Sequence, residues 1–240
     1  MSAIANVAIH SSQFPEPIRR DLHQSLRARR VAHKFHYDSV KQTQKWLALH
    51  REYSPSRASA NCRAIYESCF EAVAREVNGG KLHVIGLGCG GGKKDSGLLT
   101  ALKRRGGDLF YTPCDVASAM ALTARHSALS VLPQTRIFPL VCDLQKATDL
   151  TSALNTAPHG RARRVITFFG MIPNFEPRTI LPKLASLVRH GDILLFSANL
   201  APGDDYAAGV KRVLPQYDNS LTRDWLLTFL LDIGVSRADG

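Results

Sequence analysis

No apolar run in the 240 residues approaches the roughly 18 needed to cross a bilayer as a helix. The N-terminus, MSAIANVAIHSSQFPEP, has no basic stretch leading into a long apolar one. No secretory signal is therefore expected, and the default is a soluble, cytoplasmic protein without a membrane role. Cysteine is sparse. Cys62, Cys69, Cys89, Cys114 and Cys142 are odd in number and include no Cys-x-x-Cys pair. Zinc sites and disulfide frameworks leave tighter spacing than this, so the thiols are expected to be reduced and packed as small apolar groups. No metal cluster is visible. Acid is short too: 20 Asp and Glu against 31 Lys and Arg leave a net charge of +11. The basic residues gather at Arg19, Arg20, Arg27, Arg29, Arg30 and Lys34, at Lys93, Lys94, Lys103, Arg104 and Arg105, and at Arg161, Arg163 and Arg164. Such an excess suits anionic partners, including nucleic acid. It comes without a recognised nucleic-acid motif and lies at separate places, so a solvated basic surface is the favoured reading. Repeats and low-complexity tracts are absent.

What is present is enough apolar material, 45% of the chain, for a real core. The length suits one α/β domain with additions. Residues 1–78 read as an N-terminal helical extension. Helical spacing runs over 17–32 (Ile18, Leu22, Leu26, Val31), 39–50 (Trp46, Leu47, Leu49) and 59–77 (Ile65, Phe70, Val73). Asn78-Gly79-Gly80 stops the last of these. Residues 79–240 alternate strand and helix. Strands are predicted at 82–87, 108–116, 135–143, 163–170 and 191–200, with helices near 95–105, 117–129, 146–156, 177–189 and 221–233; Pro177 suits a first helical position. Five apolar strands separated by helices imply a parallel, Rossmann-like sheet covered on both faces. Right-handed crossovers put every strand's C-terminus on one edge, where a ligand binds.

At that edge, Gly86-Leu87-Gly88-Cys89-Gly90-Gly91-Gly92-Lys93-Lys94-Asp95 follows the first predicted strand and opens a helix. Glycines allow a tight turn and close approach of a ligand to the backbone, and a helix N-terminus offers N–H groups and positive potential. The loop also reads as a plain strand-to-helix turn. It lacks the Gly-Lys-Ser/Thr ending of a phosphate-binding P-loop, which disfavours NTP hydrolysis. Gly86, Gly88 and Gly91 fit Gly-x-Gly-x-x-Gly, so the loop alone leaves NAD open. Asp115 and Asp143 end the second and third strands. A carboxylate at the first place can accept from ribose hydroxyls, and one at the second can sit beside an adenine amino group. Each could equally cap a helix.

Further segments extend the pattern: KFHYD (34–38), EYSPSR (52–57), TPCDVA (112–117), FFGMIPNFEP (168–177), GDILLFSANL (191–200) and QYDNSLT (216–222). In order along the chain they look like Lys-Tyr-Leu-Tyr-Asp, Glu-Tyr-Tyr-Pro-Thr-Arg, Pro-Val-Asp-Val-Ser, Phe-Leu-Gly-Ser-Thr-Ile-Gly-Asn-Phe-x-Pro, Gly-Asp-x-Leu-Leu-x-Gly-x-Asp-Leu and Ala-Tyr-Asp-Asp. These are segments of the S-adenosylmethionine (SAM)-dependent, histidine-specific N-α-methyltransferases of the ergothioneine-pathway type. The chain resembles that family over about residues 34–233. The resemblance implies a class I methyltransferase sheet with SAM as cofactor. It implies a cofactor site of Gly86, Gly88, Cys89, Gly90, Lys94, Asp115, Asp143 and Leu144, with Arg57 and Tyr53 lying over it. Asn174 and Tyr217 would face the methyl acceptor. Gly86 stands where the family has glutamate, Cys89 where it has serine and Ser54 where it has a second tyrosine. The loop at Asn174 is one residue shorter. The family continues past the point where this chain reaches Gly240, so the last strands and the substrate domain are expected to be missing. A partner subunit or a second copy is expected to cover the open sheet edge.

Methyl transfer from a sulfonium asks mainly for an in-line, unprotonated nucleophile and exclusion of water. The leading expectation is methylation of a small molecule, such as the amine of an amino acid. A catalytically silent SAM-fold binding protein and an RNA-modifying methyltransferase are kept beside it. Cys89 has no partner histidine placed by the sequence, and His33 and His36 read as surface or core residues.

Overall fold

The computed structural model describes residues 4–155 and 162–236. Arg161 and the predicted helix end at residue 156 lie outside them. In chain order the elements are β1 (Ala8–Ile9), α1 (Pro15–Ala28), α2 (Val40–Tyr53), α3 (Pro55–Ala58), α4 (Ala60–Val77), β2 (Gly80–Leu87), α5 (Lys93–Arg104), β3 (Gly107–Asp115), α6 (Ser118–Ala128), β4 (Leu140–Val141), α7 (Leu150–Leu154), β5 (Arg163–Phe169), α8 (Pro177–Leu187), β6 (Ile193–Ser197), α9 (Tyr206–Val213) and α10 (Ser220–Asp232). None of the described helices is long and apolar enough to cross a membrane.

The strands form one sheet in the order β1-β4-β3-β2-β5-β6, every pair parallel. The chain moves outward from β2 through β3 to β4, then returns to place β5 on the other side of β2. This reversal is the switch point where open parallel sheets leave a crevice beyond their C-terminal ends. The sheet is buried on both faces because side chains alternate. Leu82, Val84 and Val165 pack with Phe70, Val73, Leu98 and Leu102 on one face. Ile85, Leu87, Ile166 and Phe168 pack with Ile180, Leu184 and Leu187 on the other.

The three helices expected in the N-terminal segment are α1, α2 and α4, with the short α3 added between the last two, and caps set their ends. Ser39 and Gln42 form a reciprocal capping box at the start of α2. Ser59 caps α4, and Asn78 ends it in the left-handed conformation. α10 is joined to the N-terminal segment: Lys45 Nζ of α2 donates to Thr228 Oγ1 at 2.9 Å, and Trp225 Nε1 donates at 2.7 Å to the carbonyl of His36, in the turn before α2.

The structure corrects the sequence reading in three places. The segment expected to be purely helical contributes β1, a sixth strand, through Ala8 N to Pro139 O and His10 N to Val141 O, both 2.9 Å. Both of its residues are exposed, so no apolar alternation marks it. The strand expected over 135–143 is reduced to Leu140–Val141 and a single bridge between Ile137 and Tyr111. Pro139 lacks the N–H that would continue the ladder. The stretch read as a loop before α10 contains α9, capped by Asp205 on the N–H groups of Ala207 and Ala208. Strand β6 lies at the sheet edge, with Phe196 62% exposed.

Gly92 caps α5 with φ near +70°, and a Cβ there would lie 2.6 Å from Ala124 Cα in α6. Gly92→Ala combines left-handed strain with a backbone clash. It should lower stability by about 2–5 kcal/mol in chemical denaturation.

Candidate active site

Two adjoining cavities open at the sheet's C-terminal edge. The first, about 710 Å³, includes Gly88, Gly90, Asp115, Asp143, Leu144, Met120 and Asn174 in its walls. The second, about 530 Å³, is walled by Tyr53, Arg57, Gly88, Cys89, Gly90, Lys94, Asn174 and Tyr217 among others. Gly88, Gly90, Met171, Asn174, Trp46 and Tyr37 belong to both. The eleven residues other than Gly86 that the sequence nominated are thus brought around one divided cleft. Gly86 lies in β2 beneath the glycine loop, outside both walls.

The loop is held mainly by its own N–H groups. Those of Gly88 and Cys89 donate to the Cys114 carbonyl at 2.8 and 3.1 Å, and that of Gly92 donates to Cys89 O at 2.9 Å. Gly90 N donates to Asp115 Oδ2 at 2.9 Å. These donors face the protein, so the loop is a shaped wall and not a phosphate cradle. Met171 lies across it: a Cβ on Gly88 would come within 2.7–2.8 Å of three Met171 side-chain atoms.

Asp115 sits at the end of β3 with both oxygens engaged, since Oδ1 accepts from Ala117 N at 3.1 Å. Burial pushes its carboxyl up to about 6, while the backbone N–H groups of Gly90, Ala117 and Val116 act to lower it. Asp143, after β4, accepts from the N–H groups of Gln145 and Lys146 through Oδ1. Its Oδ2 lies 3.3 Å from Lys34 Nζ, which also contacts Asp21 Oδ2 at 2.6 Å. Asp143 therefore serves as a local cap and as an ion-pair partner of the N-terminal segment. The Leu144 side chain is buried, and its carbonyl accepts from Lys183 Nζ at 3.0 Å.

In the second cavity, Lys94 Nζ lies 4.8 Å from the Tyr66 ring centroid and 5.8 Å from that of Phe169, a cation–π seat. Arg57 in α3 adds a second positive charge. Tyr53 ends α2. Asn174 is exposed in a short turn after β5, and Tyr217 is 56% exposed. The Cys89 thiol is pushed up by burial and by the nearby carboxylates of Asp115 and Asp95, which keeps it protonated. That suits a wall residue and not a nucleophile.

Several wall residues escaped the sequence reading. Trp46 stacks on His50 with centroids 4.8 Å apart, and both face the second cavity. His33 and His36, read as surface or core, line the cleft. Burial, the nearby His36 and an opposing pull from Asp143 bring His33 to about 4, and burial with Lys94 and Arg57 brings His50 to about 4. Both rings are therefore neutral at physiological pH. Their helical spacing looks like any amphipathic face, so only the folded cleft distinguishes them.

The residues present fit an adenosyl sulfonium ligand: an acid at each of two strand ends, a glycine wall permitting close approach, and room continuing past Gly88. No curated protein matches the chain. Among solved structures it is similar to a SAM-dependent methyltransferase from Geobacter sulfurreducens in complex with S-adenosyl-L-homocysteine, at 14% identity and TM-score 0.46, covering 83% of this chain and 92% of that one. It is also similar to the plantazolicin methyltransferase BpumL in complex with S-adenosyl-L-homocysteine, at 15% identity and TM-score 0.44, covering 93% and 80%. The sequence model of the histidine-specific, SAM-dependent methyltransferases matches residues 18–220, a span that holds the glycine loop, both strand-end acids and the whole cleft. By that match the chain belongs to this family and is a SAM-dependent methyltransferase.

Proposed function

We propose that the protein methylates the amine of a small, amino-acid-like acceptor. The observation that carries this reading is the continuity of the two cavities across Gly88, with the strand-end acids in one and Tyr53, Arg57, Lys94 and Tyr217 in the other. SAM supplies an electrophilic methyl on a sulfonium. Asp115 would accept from the ribose hydroxyls, and Asp143 and Leu144 would flank the adenine. Arg57 and Lys94 suit a carboxylate, of the cofactor's methionine end or of the acceptor. The Asn174 amide can donate to a carboxylate and accept from an amine, and the Tyr53 and Tyr217 hydroxyls can hold the amine as its proton leaves. Residues of α1 to α4 and of the turn His33–His36 line the cleft and would limit the access of water to a bound ligand.

Calorimetric titration with SAM, with NAD and ATP as controls, tests the cofactor, and turnover on histidine, other amino acids and simple amines tests the acceptor. Selective SAM binding with turnover on an amino acid supports the reading. SAM binding with methylation of RNA alone, weakening steeply with salt, favours a second reading suggested by the exposed Arg19, Arg20 and Arg27 around an open depression on α1. SAM binding without any turnover favours a silent binding protein, and no SAM binding overturns both enzymatic readings.

A further inference from the structure

Gly86 occupies the position at which the resembling methyltransferases carry glutamate, and nothing in its backbone asks for glycine. Its φ lies outside the left-handed region. What excludes a side chain is another side chain. A Cβ built on Gly86 would lie 2.1 Å from Asp95 Oδ2, 3.1 Å from Asp95 Cγ and 3.2 Å from Cys89 Cβ. The space that an acid at position 86 would enter is already filled by the carboxylate of Asp95.

That carboxylate comes from the opposite end of the glycine loop. Asp95 is in the first turn of α5 and is 3% exposed. Its Oδ2 accepts from Tyr111 OH on β3 at 2.7 Å, and its Oδ1 accepts from Thr167 Oγ1 on β5 at 2.8 Å. It therefore sits between the C-terminal ends of the three central strands, directly under the loop, and it borders the second cavity together with Thr167. The positive end of the α5 dipole favours an anion in this turn. Burial pushes the carboxyl up, and the Tyr111 and Thr167 hydrogen bonds and nearby Lys94 pull it back.

We propose that Asp95 has taken over, from the first turn of α5, the place of the family's acid at position 86, and that, by tying the start of α5 to Tyr111 of β3 and Thr167 of β5, it is a positioning residue for the glycine loop that ends there. Glycine at 86 and aspartate at 95 are then two halves of one exchange. The carboxylate is kept under the loop while the side of the loop that supplies it has changed. This inference rests on the SAM reading above.

The test is a cycle of four proteins: wild type, Asp95→Ala, Gly86→Glu, and the double variant. Each is titrated with SAM in a calorimeter and unfolded thermally without SAM. Asp95→Ala should weaken SAM binding about tenfold or more, the scale of a lost hydrogen-bonded buried charge. Gly86→Glu alone should weaken binding and lower the melting temperature, because two carboxylates meet in one space. The double variant should bind SAM within a few-fold of wild type and melt above either single variant. An Asp95→Ala protein that binds SAM as wild type does, or a double variant no better than the worse single one, overturns the exchange. If Asp95→Ala does not fold, Thr167→Val decides. It deletes one donor to Asp95, and unchanged SAM affinity in a folded Thr167→Val protein overturns the proposal. A wild-type chain that binds no SAM overturns the functional reading itself, before any variant is compared.

Discussion

Asp115→Ala is expected to weaken SAM binding by about 100-fold, the loss of about 2.7 kcal/mol that hydrogen bonds from a ribose diol to one buried carboxylate supply. The geometry makes the loss double. The carboxylate faces the first cavity, and it also holds Gly90 N at 2.9 Å, so its removal frees the glycine loop as well. Asp115→Asn keeps the volume and loses the charge, and should fall close to the alanine variant. The same site predicts a pH dependence. With its carboxyl pushed up to about 6 by burial, Asp115 is protonated in a growing fraction of molecules below that pH. The protonated group is a weaker acceptor for ribose hydroxyls. SAM affinity should therefore be flat above about pH 7 and fall by up to about tenfold per unit below pH 6. Stability of the free protein moves the other way. The folded value lies above the ordinary carboxylate value of 3.8, so this group's contribution is fully present below 3.8 and is lost as the pH rises through about 6. Calorimetry from pH 5 to pH 8 checks the first statement. A wild-type profile identical to that of Asp115→Asn would sink it.

The largest loss of stability is expected from Lys34→Met, about 3–5 kcal/mol in chemical denaturation. Lys34 Nζ is 2.6 Å from Asp21 Oδ2 and 3.3 Å from Asp143 Oδ2, and all three side chains are buried. The only other cation recorded against Asp21 among the described residues is Lys146, half exposed at 3.4 Å. A methionine at 34 fills the stem's volume and leaves two buried carboxylates facing each other. The cost is desolvation without compensation, so Lys34→Met with Asp21→Asn should recover much of it. Acid should act along the same line. Burial raises the Asp21 carboxyl, but Lys34 and Lys146 outweigh it and hold the group below its ordinary value. Its contribution is present above pH 3.8 and lost as the pH falls below that value. A Lys34→Met protein as stable as wild type would show that the cluster is hydrated and contributes little. Because Asp143 borders the first cavity, the variant should also bind SAM less tightly.

The strands that lie in the core were legible because burial on both faces leaves near-continuous apolar runs, as in residues 82–87 and 163–169. The glycine loop and the acids at 115 and 143 were legible because their place at strand ends follows from the crossover rule. Strand β1 was not, since two exposed residues carry no periodicity and gain their pairing only from β4. Nor was the extent of β4, which a proline in an apolar run curtailed. The cleft's roof was half legible. Trp46, His33 and His36 were named in the sequence but not as cleft residues, and His50 was not named, because helical spacing gives a cavity wall and a surface face the same pattern.

Local chemistry therefore determined most of the order of elements, the parallel sheet, and the place of the glycine loop and the two acids at its C-terminal edge, because periodicity, caps and chirality act over short stretches of chain; Tyr53, Arg57, Lys94, Asn174 and Tyr217 were implied by the family resemblance alone. Tertiary structure decided which groups share a space. Only folding could place the Asp95 carboxylate 2.1 Å from where a Cβ at position 86 would lie, or set Lys34 between Asp21 and Asp143. The contact of Lys34 with Asp143 joins segments far apart in sequence, and even for the nearer pairs no periodicity along the chain encodes a distance across it.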